Sequence, residues 1–305
     1  MLPPYLSHDD LDDLIERALA EDVADGDVTT LTTVESGRAA RAEIQANEDG
    51  VLAGARGAGR VFAALSDHVE IAWKAEDGNA ISAGAVVGVL NGPARPLLTG
   101  ERLALNFLQR MSGIATATRR MAKRAKPHGA KILDTRKTAP GLRLLDKWAV
   151  RLGGGANHRL GLFDQVLIKD NHIAAAGSVG EALRQAKRYV EDRAPEMIVE
   201  IETRTLEEVR AVLDAGGADV ILLDNMARRS SDGSLDVSML REAVQLIGDR
   251  ATTEASGNVT LETVEVIAAT GVDAISSGAL THSVTALDLS MGFQVSGGVG
   301  ERENG

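Results

Sequence analysis

The chain has 305 residues, a length that suggests two domains of ordinary size and allows a substantial buried core. It contains no cysteine, which excludes disulfides, thiolate metal sites and thiol nucleophiles and fits a reducing compartment. The formal net charge of −11 argues against nucleic acid or an anionic membrane as a general partner. No stretch approaches the length of a membrane span and the first residues lack the layout of a signal peptide, so we expect a cytoplasmic protein.

The first third of the chain is predicted to form a small mixed domain. Ser7 and Asp10 have the spacing of a capping box, and the apolar residues that follow at helical intervals predict an amphipathic helix. Between residues 37 and 98, short apolar runs broken by Gly and Asn predict strands and hairpins, with one helix near Ala58–Leu65. A helical pattern covers residues 100–125, where Gly113 predicts a break into two helices and a hinge between domains.

Beyond this region, strand-like and helix-like segments alternate, which is the pattern of a parallel α/β sheet or barrel. The predicted strands are Lys131–Asp134, Gln165–Ile168, Met197–Ile201, Val220–Leu223 and Ala274–Ile275, with a weaker one before Ser256. The predicted helices include Val179–Tyr189, Leu206–Ala215, Val237–Leu246 and Leu261–Thr270. Residues 296–305 are rich in Gly and in charge and are predicted to be disordered.

Nearly every predicted strand runs into polar or charged residues at its carboxyl end. The segments are DTRKT (134–138), IKDNH (168–172), EIE (200–202), LLDN (222–225), EASGN (254–258) and SSGALTHS (276–283). In an α/β barrel these ends converge on one face, where active sites are built. The six ends together predict a site on that face, although each charge taken singly also fits a solvated loop.

The charge is unevenly distributed along the chain. Residues 131–172 carry eight basic and four acidic side chains, whereas the remainder carries 25 basic and 40 acidic ones. A basic island in an acidic protein attracts small anions. We therefore expect this segment to bind the anionic groups of a substrate, the alternative for any single Arg or Lys being a solvated surface charge.

Other strand ends have residues suited to a phosphate and a sugar. The small residues at 256–258 and 277–279 let backbone N–H groups approach a phosphate, although Ser and Gly also form ordinary turns. Glu202 and Asp224 each follow an apolar strand and are candidates to bind ribose hydroxyls or to hold Mg²⁺ through water. The alternative for each carboxylate is a structural ion pair with a neighbouring Lys or Arg.

Distinctive segments are distributed over most of the chain. They include GERLALNFLQRMSGIATATR (100–119), DTRKTAPGLR (134–143), KWAVRLGGGANHRLGLFDQVLIKDNH (147–172), LLDNM (222–226) and GALTHS (278–283). They resemble the quinolinate phosphoribosyltransferase family, also called nicotinate-nucleotide pyrophosphorylase (carboxylating). The resemblance implies an N-terminal α/β sandwich domain (1–113) and an incomplete, TIM-like α/β barrel (114–283) with the active site at the carboxyl ends of its strands. A C-terminal segment (284–305) is then expected to return toward the first domain.

The resemblance also implies a role for each matching position. The quinolinate pocket falls on Thr135, Arg136, Lys137, His158, Arg159 and Lys169, and Arg102 is implied to reach into the site of a neighbouring subunit. The implied catalytic positions are Lys137, Lys169, Glu202 and Asp224, the two carboxylates facing the ribose and the Mg²⁺-diphosphate. The 5′-phosphate site falls on Ser256, Gly257, Asn258, Ser277, Gly278 and Ala279. The family usually has Gly where Asn258 stands, so this Asn is expected to add a hydrogen bond or to adopt a left-handed backbone.

The implied activity is transfer of phosphoribose from phosphoribosyl diphosphate to quinolinate with loss of CO₂, giving nicotinate mononucleotide for NAD biosynthesis. The implied cofactor is Mg²⁺, and the implied assembly is a homodimer or a hexamer of dimers, with no nucleic-acid or membrane partner. Planar Arg side chains suit the two carboxylates of quinolinate. Two other functions stay open: a related enzyme acting on another aromatic acid, and a barrel that binds a phosphorylated ligand without turning it over.

Overall fold

The computed structural model of the protein describes residues 2–229 and 233–295. The chain divides into two units, the first formed by the residues up to Thr116 and the segment that begins at Val284, the second by Ala117–Ser283. The tail that is predicted to be disordered, residues 296–305, lies outside the described residues. Within the described ranges, no helix is both long and apolar enough to cross a membrane.

The elements are numbered here in chain order. The helices are α1 His8–Val23, α2 Val28–Thr33, α3 Ala55–Leu65, α4 Ala94–Ala125, α5 Arg143–Leu152, α6 Asp170–Ala176, α7 Val179–Arg193, α8 Leu206–Ala215, α9 Ser238–Ile247, α10 Val264–Ala268 and α11 Ala279–His282. The strands are β1 Ala39–Ala46, β2 Gly50–Val51, β3 Glu70–Trp73, β4 Ala80–Ile81, β5 Val86–Pro93, β6 Lys131–Leu133, β7 Val166–Ile168, β8 Val199–Thr203, β9 Val220–Asp224, β10 Arg228–Arg229, β11 Leu235–Asp236, β12 Thr252–Ser256, β13 Ala274–Ser276 and β14 Leu289–Val295. Short 3₁₀ turns follow α4 and α9.

The first unit is built on an antiparallel sheet of four strands in the order β14-β1-β5-β3. Exposed and buried residues alternate along β1, as they do in a strand with one face on a core. Helices α1 and α3 pack against each other, and Leu11 and Phe62 from these helices are fully buried with Ile44 and Leu90 from the sheet. The predicted α/β sandwich is therefore confirmed.

The predicted capping box at the start of α1 is present. The backbone N–H of Asp10 donates to Ser7 Oγ, and the backbone N–H of Ser7 donates to Asp10 Oδ2, each at 3.0 Å. These bonds satisfy two backbone donors that a helix start leaves without partners. The helix begins at His8 because Ser7 closes its first turn in this way.

The predicted break at Gly113 is wrong, because α4 runs without interruption through this position. A Cβ atom at residue 113 would lie 2.2 Å from the backbone oxygen of Thr285, a distance that no side chain tolerates. Gly113 is therefore required by the close approach of a neighbouring backbone segment, and the helix accepts the lower helical propensity of glycine.

The second unit contains six parallel strands in the order β6-β13-β12-β9-β8-β7. Strands β6 and β7 are the two ends of this order, so the sheet is an incomplete barrel, as predicted. The segment after α5 approaches β6 through a parallel bridge between Leu133 and Ala156. All five residues of β8 are buried, which is typical of a strand covered on both faces.

The strands and helices of the second unit follow the predicted alternation with shifts of one or two residues at most ends. The predicted helix Leu261–Thr270 is too long at both ends, because only Val264–Ala268 is helical. Thr263 Oγ1 donates to the backbone oxygen of Asn258 at 2.7 Å and accepts the N–H of Thr260 at 2.8 Å. These threonine bonds support a turn in place of the first helical residues.

Candidate active site

A cavity of about 680 Å³ lies at the carboxyl ends of the six parallel strands. The predicted site residues that line it are Thr135, Arg136, Lys137, His158, Arg159, Lys169, Glu202, Asp224, Ser256, Gly257, Asn258, Ser277, Gly278 and Ala279. Arg102 belongs to the first unit, is exposed on α4 and is not among the lining residues. The structure therefore brings all the predicted site residues of the barrel together, while their individual roles stay predictions.

One side of the cavity is rich in cations that come from the ends of β6 and β7 and from the loop between them. Arg136 Nε is buried and has no hydrogen-bond partner within the described ranges. Burial and the nearby charge of Arg136 lower the pKa of Arg159, although an arginine stays protonated under ordinary conditions. Two guanidinium groups that repel each other beside a cavity form a site for an anion.

A buried ion pair holds the loop that carries His158 and Arg159. Lys147 Nζ, on α5, bonds to Asp134 at the end of β6, and both side chains are fully buried. Asp134 also accepts the side-chain amide of Asn157 at 2.5 Å and the backbone N–H of His158 at 3.0 Å. Burial raises the pKa of Asp134 and lowers the pKa of Lys147. The charge of each partner reduces these two changes without reversing them. The loop is thereby fixed against β6.

His158 is part of a buried cluster with two carboxylates that the sequence argument did not single out. Its Nε2 atom lies 2.9 Å from Glu200 Oε2 and 3.7 Å from Glu254 Oε1, and its Nδ1 accepts the backbone N–H of Arg159 at 2.7 Å. Burial by itself lowers the pKa of His158, but the hydrogen bond to Glu200 and the charge of Glu254 outweigh burial and raise it. Both ring nitrogens have protein partners, so the ring orientation is fixed.

Glu200 and Glu254 belong to strands β8 and β12 and are almost fully buried. Each has one carboxylate oxygen without a hydrogen-bond partner within the described ranges. Burial, followed by the charge of Glu200, raises the pKa of Glu254 to about 7. The repeat Glu200-Ile201-Glu202 was the available sequence signal, because alternate residues of a strand point to the same face.

The carboxylates Glu202 and Asp224 lie on neighbouring strands on another side of the cavity. Glu202 bonds to Lys169 Nζ and accepts Arg204 Nη2 at 2.7 Å, so the alternative of an ion pair with a neighbouring cation holds for Glu202 in this structure. Asp224 Oδ2 accepts Asn225 Nδ2 at 2.8 Å and Arg204 Nε at 3.3 Å, so the ion-pair alternative holds for Asp224 as well. Arg204 lines the cavity and was not predicted as a site residue.

The loops after β12 and β13 form a third side of the cavity. Gly257 has φ of +93°, and a Cβ there would lie 2.2 Å from Asn225 Oδ1, so this position requires glycine. Asn258 has φ of 55° and donates through Nδ2 to the backbone oxygen of Ala227 at 3.0 Å, which confirms both expectations for this residue. Thr281 Oγ1, in α11 after the β13 loop, donates to the backbone oxygen of Lys137 at 2.8 Å. The small-residue loops are thus tied to the cationic side.

Comparison with known proteins places the chain in one family. The family descriptions "Quinolinate phosphoribosyl transferase, N-terminal domain" and "C-terminal domain" match residues 27–112 and 114–292. The chain is 52% identical over 295 residues to "Quinolinate phosphoribosyltransferase [decarboxylating] 2b, mitochondrial" of Nicotiana tabacum, covering 95% of this chain and 84% of the relative. It is 42% identical over 292 residues to the "Probable nicotinate-nucleotide pyrophosphorylase [carboxylating]" of Bacillus subtilis, covering 95% and 96%. The crystal structure of NadC from Streptococcus pyogenes superposes with a TM-score of 0.87 at 39% identity, covering 96% of this chain and 99% of that one.

Proposed function

The chain belongs to the quinolinate phosphoribosyltransferase family, and we propose that its barrel cavity transfers phosphoribose from phosphoribosyl diphosphate to quinolinate, releasing CO₂ and diphosphate. The observation that carries this function is the division of one cavity into a cationic side, a carboxylate side and a side of small-residue loops. These three sides match an aromatic dianion, a ribose with its leaving group, and a terminal phosphate.

The cationic side holds quinolinate. Arg136 and Arg159 present planar guanidinium groups, which bind carboxylates through paired hydrogen bonds, and Lys137 and Lys169 add charge. The buried Asp134–Lys147 pair fixes the loop of Arg159, so the ring nitrogen of the substrate is held in one orientation. Fixed orientation of two reactants lowers the barrier because less motional freedom remains to be lost.

The reaction proceeds by substitution at the ribose. The ring nitrogen of quinolinate forms a bond to C1′ as the bond from C1′ to the diphosphate oxygen breaks, and the electron pair leaves with the diphosphate. Positive charge develops on the sugar, and the carboxylates of Glu202 and Asp224 stabilise it. The C2–carboxylate bond then breaks, its electron pair stays at C2 beside the cationic nitrogen, and a proton from solvent or a protein acid completes nicotinate mononucleotide.

Mg²⁺ is the proposed cofactor. Glu202 and Asp224 supply hard oxygen ligands on neighbouring strands, and Mg²⁺ in nucleotide sites uses one or two carboxylates together with substrate phosphates. Because Glu202 already bonds to Lys169 and Arg204, most of the remaining ligands must come from the diphosphate and water. When bound, the ion neutralises charge on the departing diphosphate.

The proposed assembly is a homodimer, or a hexamer built from dimers, in which Arg102 of one copy completes the cavity of another. Arg102 is exposed and outside the cavity lining, so it is accessible to a second copy. In the second unit, Leu162 and Phe163 are 73% and 74% exposed, and burial of these two apolar side chains by a second copy would favour association. A cytoplasmic location is proposed from the absence of cysteine.

The test is to incubate the purified protein with quinolinate, phosphoribosyl diphosphate and Mg²⁺ and to identify the products by mass. The expected result is nicotinate mononucleotide with equal amounts of diphosphate and CO₂. A panel containing nicotinate and other aromatic acids serves as the control for substrate choice. Turnover of another acid with none of quinolinate would contradict the proposed substrate, and tight binding without diphosphate release would contradict an enzymatic role.

A further inference from the structure

Arg204 connects the ends of three neighbouring strands at the cavity. It follows β8 directly and bonds to Glu202 Oε1 through Nη2 at 2.7 Å and to Asp170 Oδ2 through Nη1 at 2.9 Å, while Nε lies 3.3 Å from Asp224 Oδ2. Its side chain is half exposed and lines the cavity. Asp170 begins α6 after β7, and Asp224 ends β9, so one guanidinium is fixed from three elements.

The charges around Arg204 affect whether a negatively charged ligand can approach the carboxylate side of the cavity. Three carboxylates, Asp170, Glu202 and Asp224, face two cations, Arg204 and Lys169. A diphosphate beside three uncompensated carboxylates is repelled strongly in a partly desolvated cavity. Arg204 therefore lets a polyanion approach the carboxylates that act on the ribose.

The guanidinium of Arg204 has more N–H donors than its three ion pairs use. Arginine carries five N–H groups, and the three ion pairs engage one each on Nε, Nη1 and Nη2. Among the described residues, one N–H on Nη1 and one on Nη2 have no protein acceptor, and guanidinium N–H groups bind phosphate oxygens strongly. We propose that Arg204 binds the diphosphate group of phosphoribosyl diphosphate through these two N–H groups, an inference that rests on the proposed function of the cavity.

The test compares Arg204→Gln and Arg204→Lys with the matched control Arg210→Gln. Arg210 lies on α8, has the same exposed fraction as Arg204, and pairs with Glu207 and Glu242 outside the cavity. Inorganic pyrophosphate with Mg²⁺ is titrated into each protein by calorimetry, and KM and kcat are measured separately for phosphoribosyl diphosphate and quinolinate. Melting temperatures identify a variant that has lost stability.

Arg204→Gln is expected to weaken pyrophosphate binding and to raise the KM for phosphoribosyl diphosphate by about tenfold or more, as the loss of charge-assisted hydrogen bonds does. The KM for quinolinate is expected to stay within about twofold. Arg204→Lys keeps the charge without the planar fork and restores part of the loss. The control, Arg210→Gln, is expected to match the original protein in all these constants.

A further variant separates binding from orientation. Asp170 contacts Arg204 but does not line the cavity, so Asp170→Asn is expected to change pyrophosphate affinity less than Arg204→Gln does, and to change it little when residue 204 is already Gln. Equal pyrophosphate affinity of Arg204→Gln and the original protein would overturn the proposal. So would tighter binding of Mn²⁺ alone by Arg204→Gln with unchanged pyrophosphate affinity, because the guanidinium would then occupy the position of a metal. If the original protein binds pyrophosphate through Arg204 but forms no nicotinate mononucleotide, the proposed function fails, whereas the role of Arg204 in binding a diphosphate group stands.

Discussion

Arg136 and Arg159 are 23 positions apart in the sequence and line the same cavity. Burial, followed by the charge of Arg136, lowers the pKa of Arg159, so the two cations repel each other when no anion lies between them. A dianionic substrate would reduce this repulsion and could accept the N–H of Arg136 Nε, which is buried and has no partner among the described residues. If quinolinate binds as proposed, much of its binding energy is expected to come from this pair.

Arg136→Ala is predicted to lower kcat/KM for quinolinate by at least about a hundredfold, because a buried charge-assisted contact to the substrate is lost. Steady-state kinetics and circular dichroism check the activity and the fold. Arg151→Ala is the matched control, since Arg151 has the same charge, is exposed on α5 and does not line the cavity. Near-normal activity of a folded Arg136→Ala protein would contradict the assignment of the quinolinate pocket.

Glu254 gives the protein a pH-dependent stability. Burial and Glu200 raise its pKa from the ordinary 4.5 to about 7, and Glu200, His158 and Asp134 are the charged groups that act on it. The folded protein thus keeps a proton that the unfolded chain releases between these two values. Stability must fall as the pH rises through this window, by on the order of 3 kcal/mol for this group. The pKa of His158 is also raised, so its contribution to the stability of the folded protein likewise falls as the pH rises.

Glu254→Gln is therefore predicted to be more stable relative to the original protein at pH 8 than at pH 5, because the amide does not ionise. Urea unfolding at both pH values measures this difference. Glu265→Gln, at an exposed position of α10, is the control for the substitution itself. An equal difference at the two pH values would show that Glu254 is not protonated in the folded protein.

The sequence was sufficient for some of these residues and insufficient for others. Asn258 could be interpreted from its own conformational preference, because an Asn in place of a usual Gly indicates a left-handed backbone. The contacts of Arg204 and Glu200 could not be predicted, because partners such as Asp224 and His158 are distant in sequence and an Arg or Glu at a strand end has many possible partners. Charged residue types are visible in a sequence, but their pairing is decided by tertiary structure.

At the scale of elements, Gly113 shows how a local preference is overridden by packing. Glycine in a helix predicts a break from its low propensity, yet α4 continues through it because the backbone of Thr285 passes where a Cβ would stand. The strands of the barrel were more predictable, since their apolar runs and polar carboxyl ends mark both their position and their direction. Their exact bounds depend on partners such as Asp219, whose carboxylate accepts the N–H of Val199 at 2.7 Å where β8 begins.

Gly113→Ala is predicted to destabilise the protein by about 1–3 kcal/mol, because the clash with a backbone oxygen outweighs the gain in helix propensity. Gly57→Ala is the matched control: Gly57 lies inside α3, and a Cβ there meets nothing within 4 Å. This control is predicted to be neutral or to stabilise by about 0.5–1 kcal/mol. Thermal or urea unfolding measures both, and a Gly113→Ala protein as stable as Gly57→Ala would contradict the packing explanation.

At the scale of the whole molecule, negative and positive charge are concentrated in different parts of the sequence. The acidic residues outside 131–172 give the protein its negative charge, whereas the basic residues that line the cavity lie mostly within that segment. The negative net charge argues against large anionic partners. It does not argue against a small anionic substrate, because the cavity is lined by cations from the basic segment. Localising charge along the chain was possible from sequence because the cationic residues follow two consecutive strands, β6 and β7.

Completion of the cavity by a second copy is tested by mixing two inactive variants. Arg102→Ala removes the residue that a chain is proposed to lend to its partner, and Lys169→Ala removes a residue that lines the chain's own cavity. In a hybrid dimer, the Arg102→Ala chain keeps Lys169 and receives Arg102 from the other copy, so one of the two sites is intact. Random pairing of equal amounts makes half of the dimers hybrid, and about a quarter of the original activity is expected.

Co-expression of the two variants with different affinity tags, followed by purification through both tags, isolates the hybrid so that subunit exchange is not in question. The activity of this preparation is compared with that of each variant purified alone. If Arg102 acts within its own chain, every cavity in the hybrid has one defect and no activity returns. An inactive hybrid of demonstrated composition would therefore contradict the shared site, whereas activity near half that of the original dimer would support it, because each isolated hybrid has one intact site of two.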